Sequence, residues 1–88
     1  MTITLDGRQM TNRETAHDHI RAQLSLPEYY GRNLDALYDL LTERQEQTTI
    51  RLLDRGGLAQ NLGGYAEALT QTLRDAARVN PRLEIAEE

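Results

Sequence analysis

The sequence has no cysteine, lysine, phenylalanine or tryptophan, and it holds a single serine and two prolines. Without cysteine, disulfides, thiolate catalysis and Cys-rich zinc sites are all excluded. A small domain lacking such staples must be held by its core alone, which fits a reducing compartment. Without lysine, the glycine pairs Gly56-Gly57 and Gly63-Gly64 cannot form a phosphate-cradling loop of the P-loop kind. No apolar run approaches the ~20 residues of a membrane span. The N-terminal stretch MTITLDGR has no signal-peptide pattern. The expectation is a soluble, cytoplasmic protein with no membrane partner. Basic charge is also in deficit: ten arginines stand against 14 acidic residues, a net charge of −4. That balance argues against a nucleic-acid binder, which needs a basic face to neutralise phosphates.

What remains is a globular composition, 39% hydrophobic and 27% charged, in 88 residues. That length suits one domain spanning 1–88. Thr2 to Leu5 alternate apolar and polar, with β-branched side chains, and meet Asp6-Gly7, so they predict a strand ending in a turn. Thr11-Asn12-Arg13-Glu14 has the form of a capping box and opens a helix to about Leu24, with Ala16, Ile20 and Leu24 inward. Leu26-Pro27 breaks that helix, and Ser25 is read as a helix terminator rather than a nucleophile. A loop runs through Glu28 to Arg32. Asn33 is a good N-cap for a helix from Leu34 to about Arg44, on which Leu34, Leu37, Tyr38 and Leu41 form a buried stripe. Thr48 to Leu53 predicts a second strand, and Gly56 to Gly64 at most a short helix between turns. Tyr65 to Val79 predicts a long helix with Ala66, Leu69, Leu73 and Ala76 inward. Asn80-Pro81 stops it, Asn80 as a left-handed cap, and Arg82 to Ala86 forms a last strand. Strands alternating with helices point to an α/β fold, a three-stranded parallel sheet joined by right-handed crossovers and packed against three to four helices.

Few residues carry chemistry. His17 and His19 flank Asp18, but residues two apart on a helix point ~200° away from each other. They are read as exposed helical histidines, and no metal or cofactor is expected. Asp35 and Asp39 are different. Spaced i, i+4, they share one helix face at ~5–6 Å, where like charges destabilise a helix. Tyr38 lies between that acidic face and the apolar stripe, and Glu43 extends the acidic edge. Three of the four tyrosines (Tyr29, Tyr30 and Tyr38) fall within ten residues of one another. One of the Tyr29-Tyr30 pair is expected in the core beside Pro27, and the other as an exposed amphipathic anchor. A carboxylate pair can also serve a hydrolase, but that needs a cleft between the acids. On a convex helix the pair forms a knob, suited to a concave cationic partner.

The run Leu26-Pro27-Glu28-Tyr29-Tyr30-Gly31-Arg32-Asn33-Leu34-Asp35-Ala36-Leu37-Tyr38-Asp39 closely resembles the signature of the barstar family, intracellular inhibitors of secreted bacterial ribonucleases. The likeness is strong over this stretch, while the rest agrees in length and element order. The resemblance implies a small three-stranded parallel sheet packed against helices. It also implies a non-enzymatic inhibitor, a monomer when free, that forms a 1:1 complex with a toxin-type or secreted endoribonuclease. On that analogy Asp39 enters the nuclease's phosphate pocket and Asp35 pairs with a cation at its rim. Tyr29 packs over the catalytic histidine region, and Tyr30, Gly31, Asn33, Tyr38 and Thr42 complete the contact surface. Asp75, on the last helix, is the nearest match to the family's acid at the interface edge.

This chain departs from the pattern at three places. Tyr38 stands where the family usually has Trp, and Glu43-Arg44 replaces a second exposed aromatic. Arg32 replaces an acid and is expected to pair with Asp35 at i, i+3. The rival readings are an immunity or adaptor protein using the same surface against another toxin, and a carboxylate-dependent hydrolase. Residues 28–46 hold five acids (Glu28, Asp35, Asp39, Glu43, Glu46) and two arginines (Arg32, Arg44), a net of −3. The remainder has nine acids and eight arginines, so most of the surplus charge sits on one loop and helix.

Overall fold

The computed structural model describes residues 1–88. In chain order the elements are β1 (Thr2–Asp6), α1 (Arg13–Leu24), α2 (Leu34–Thr42), β2 (Thr48–Leu53), α3 (Arg55–Leu62), α4 (Gly64–Val79) and β3 (Leu83–Glu87). A single 3₁₀ turn, Gly7–Gln9, links β1 to α1. The sheet order is β1-β2-β3, with both pairs parallel. Ile3, Ile50 and Ile85 align across it, as do Leu5, Leu52 and Glu87. One sheet face carries Ile3, Leu5, Thr48, Ile50, Leu52 and Leu83 into the core. The fold is therefore the three-stranded parallel α/β architecture read from the sequence, with four α-helices.

The helices close over that face through their inner stripes. Ala16, Ile20 and Leu24 come from α1, Leu37 and Leu41 from α2, and Ala66, Leu69, Leu73 and Ala76 from α4. α2 packs chiefly against α4 rather than on the sheet, so its other side is left to solvent. No helix is long and apolar enough to cross a membrane.

Several local details differ from the sequence reading. The capping box of α1 is made by Asn12 and Thr15, not Thr11 and Glu14. Asn12 Oδ1 accepts from the Thr15 amide at 2.9 Å, and Thr15 Oγ1 accepts from the Asn12 amide at 3.0 Å. The shorter hydroxyl of Thr15 does the work expected of Glu14. Ser25, with φ 53, is the left-handed cap that ends α1.

α2 stops at Thr42, two residues short of Arg44. The buried Asn80 side chain takes its loose carbonyls, donating from Nδ2 to Leu41 O and Arg44 O at 2.9 Å each. Asn80 is accordingly extended (φ −109), not left-handed, and it serves the end of α2 as well as that of α4. The glycine-bracketed segment forms a true helix, α3. Its Asp54 cap accepts from the Gly57 amide, and Leu58 is buried. Gly7 lets the 3₁₀ turn meet the start of α3, since a Cβ there would lie 2.3 Å from Asp54 O.

Candidate functional site

The loop before α2 is fixed by its own side chains. Asn33 caps the helix, its Oδ1 accepting from the Ala36 amide at 2.8 Å, and its Nδ2 donates to Gly31 O at 3.2 Å. A Cβ on Gly31 would stand 3.1 Å from that Nδ2, so a larger residue would crowd the cap. Asn33 thus ties the loop to the helix as well as lying exposed beside it.

The two tyrosines divide as the sequence suggested: Tyr29 is 82% exposed and Tyr30 only 4%. Tyr30 is therefore a core residue, although it also lines the depression that Tyr29 and Asp39 bound. Its hydroxyl lies 2.5 Å from His17 Nδ1, and His17 Nε2 lies 2.6 Å from the Tyr65 hydroxyl. A neutral imidazole has one donor and one acceptor nitrogen, so it can donate to one phenol and accept from the other. Burial pushes the Tyr30 phenol well above its ordinary range, with Tyr65 adding to the effect and Arg32 opposing it. Burial also pushes the His17 pKa down, and the Arg32 charge adds to this against a smaller opposing pull from Asp18.

His17 corrects the reading of exposed histidines, since it is 2% exposed. The signal was available: His17, Ile20 and Leu24 follow i, i+3, i+7 on the inner face of α1. His19 is half-buried and accepts the Asp6 amide at Nε2, 3.1 Å away.

Asp35 and Asp39 on α2 and Glu43 just past its end are exposed, and none forms an ion pair within the chain. Arg32 corrects another expectation. Its backbone is left-handed (φ 56), and its guanidinium reaches back to α1, 2.5 Å from Asp18 Oδ1 and 3.9 Å from the Glu14 carboxylate. Asp35 keeps no arginine.

Three depressions surround α2, each bounded by different site residues. Tyr29, Gly31 and Asp39 rim one of about 240 Å³ over Ala36 and Leu40. Tyr38 and Asp75 rim a second of about 570 Å³ with Arg78 and Val79. Asn33 and Asp35 belong to a third of about 610 Å³ beside α1. No depression contains both Asp35 and Asp39. The half-buried Thr42 donates its hydroxyl to Asp39 O at 3.0 Å in the last turn. Asp75 is ion-paired with Arg78 one turn on and accepts from Gln71 Nε2 at 2.9 Å. The arrangement is an acidic ridge with an aromatic on each side, able to fill a concave cationic surface.

Comparison with known proteins bears on this ridge. A curated protein of Bacillus subtilis (strain 168) named "Putative ribonuclease inhibitor YrdF" is 37% identical over 75 residues, covering 84% of this chain and 82% of that one. The family described as Barstar (barnase inhibitor) matches residues 1–85, a span that takes in all three strands' core positions, the loop and α2. With the fold, the loop and the acidic helix all inside that match, the chain belongs to the barstar family.

Proposed function

We propose that this protein is an inhibitor of a bacterial endoribonuclease and that α2 with its preceding loop plugs the enzyme's active site. Asp39 stands in for the scissile RNA phosphate against cationic side chains, Asp35 pairs with a cation at the pocket rim, and Tyr29 packs as an exposed aromatic anchor. Gly31, Asn33, Tyr38, Thr42 and Asp75 complete the contact surface. The protein catalyses nothing itself and acts in the cytoplasm as one partner of a 1:1 complex. Family membership supports the inhibitor role. The observation that carries the mechanism is the pair of exposed α2 carboxylates left without an internal cation beside an exposed tyrosine. A hydrolase would need both acids around one substrate, and Asp35 and Asp39 bound separate depressions.

The test is inhibition of a panel of purified bacterial endoribonucleases, with DNases and non-nuclease toxins alongside. Wild type is expected to inhibit at least one endoribonuclease, and Asp39→Ala to lose most of that inhibition. Equal inhibition by Asp39→Ala, or inhibition confined to a non-ribonuclease toxin, would refute the proposal. Association should slow as salt is raised, because steering between exposed charges acts over about 8–10 Å.

A further inference from the structure

The largest depression on the protein, about 610 Å³, opens between the first turn of α1 and the start of α2. Arg13, His17 and Tyr65 form one wall, and Arg32, Asn33 and Asp35 the other. The two arginines are in different states. Arg32 is committed to Asp18. Arg13 forms no ion pair, and its guanidinium carbon lies 4.3 Å from the centre of the Tyr65 ring. That ring is itself held, because its hydroxyl bonds to the buried His17 and the two rings meet edge to face at 6.0 Å. A guanidinium held over an aromatic face by its central carbon keeps N–H groups free for an acceptor. Arg13 is thus a pre-oriented, uncommitted cation at the mouth of a groove that adjoins Asn33 and Asp35.

The chemistry selects the occupant. The free N–H groups of such a guanidinium match a carboxylate, which accepts two parallel hydrogen bonds. A nucleic acid is a poor fit, since Glu14 and Asp35 also line the groove and would repel its successive phosphates, whereas a single carboxylate need meet only Arg13. Net charge on the chain works in the same direction, at −4.

We infer that Arg13, at the mouth of this groove, is a second, cationic subsite of the interface and receives a carboxylate side chain of the nuclease. The inference rests on the reading that α2 faces a ribonuclease, and it adds a requirement to it. The partner must carry an acid beside its cationic active site, so a ribonuclease lacking that acid is discriminated against. Arg13 is then a specificity residue, and the surface is bipolar: acids along α2 and one fixed cation next to them.

The experiment measures association and dissociation rates with the purified endoribonuclease that wild type inhibits most strongly. Wild type, Arg13→Glu, Arg13→Gln and Asp39→Ala are compared. Arg13→Glu should raise Kd by about tenfold or more and Arg13→Gln by less, as expected for like-charge juxtaposition and for loss of one charged partner. Arg13 is exposed, so circular dichroism and Tm should match wild type for both variants. Replacing one nuclease acid with lysine should restore binding of Arg13→Glu. If Arg13→Glu binds within about twofold of wild type while Asp39→Ala does not bind, the subsite is wrong and the inhibitor reading stands. If Asp39→Ala binds as well as wild type, the reading fails and the subsite with it. Arg13-dependent binding of a single-stranded RNA oligonucleotide to the free protein would also overturn the inference.

Discussion

Acidic side chains gather at two places in this protein, and the chain treats them in opposite ways. At the end of β3, Glu87 receives Arg74 at 2.6 Å and Arg55 at 3.3 Å, while Glu88 receives Arg51 at 2.7 Å. The Arg74 hydrogen bonds hold the Glu87 carboxyl below the usual carboxylate range, and those of Arg51 do the same for Glu88. On α2 and at its C-terminal cap, Asp35, Asp39 and Glu43 have no such partner. The nearest candidate in sequence, Arg32, turns away to Asp18. The acids at the end of β3 are neutralised by neighbours within the fold. Those on α2 are left bare and crowded, an arrangement that makes physical sense when the compensating cations belong to another molecule.

The sharpest way to break this contrast is to remove one acid from each place. Asp39→Ala should weaken the nuclease complex by about 2–5 kcal/mol or more, the cost of truncating one partner of a buried charge pair at an interface. Glu87→Gln should leave the complex unchanged and lower Tm by a few degrees, because it loses two surface ion pairs and nothing at the interface. Calorimetric titration and thermal unfolding on the same two variants decide it. Comparable binding losses in both would mean that the two acid groups are not functionally distinct.

Next in size is the joint between the bare face and the core. Tyr30 lies beneath the loop that carries Tyr29, and its hydroxyl serves the buried His17. Tyr30→Phe should destabilise the fold by about 1–3 kcal/mol, the cost of leaving a buried ring nitrogen without its partner. Denaturant unfolding measures this, and an unchanged midpoint would show that the hydrogen bond contributes nothing. The same histidine gives a pH signature. Burial and Arg32 set its folded pKa below the ordinary 6.5, so the unfolded chain takes up the proton first as pH falls. Stability should therefore be full above about 6.5 and decline below it, down to the depressed folded value. His19 adds to the same window, its pKa lowered by burial against an opposing pull from Asp6. Asp6, Glu87 and Glu88 act lower, since their folded values lie below ordinary carboxylate values of 3.8 and 4.5. His17→Gln should lose less stability than wild type between about pH 7.5 and pH 5. Equal losses in the two proteins would exclude His17 as a source of the effect.

The contrast also shows what sequence patterns can and cannot reveal. The Asn33 cap and the Leu34, Leu37, Tyr38, Leu41 stripe place α2 and its acidic face without any structure, because helix periodicity is local. The sheet follows from element order, because strands alternating with helices require parallel crossovers. The joints are not local. Arg32 meets Asp18 across 14 residues and His17 meets Tyr65 across 48, and no spacing rule reaches that far. Which of Tyr29 and Tyr30 turns inward is likewise settled by where His17 stands. α3 was masked by Gly56 and Gly57, poor helix formers, and is held by tertiary contacts. Leu58 is buried, and Asn61 donates to the Gly7 and Met10 carbonyls. Family resemblance implied the proposed contact residues, yet it could not foresee that Arg78 holds Asp75 or that Arg13 stands free.

The smallest effect separates the two α2 acids from each other. Asp35 lies in the first turn of α2, where the helix dipole favours a negative charge, whereas Asp39 begins the last turn, where it does not. Asp39 also suffers the like charge of Asp35 one turn earlier. Alanine is the better helix former at either position. Asp39→Ala should therefore stabilise the free protein by about 0.5–1 kcal/mol, while Asp35→Ala should change it by less than about 0.5. Thermal unfolding at low salt would show the first as a rise in Tm, shrinking as salt screens the repulsion. A variant that folds better and binds worse would mark Asp39 as a residue kept against the interest of the fold. A fall in Tm on Asp39→Ala would instead place it among the structural acids, with Glu87.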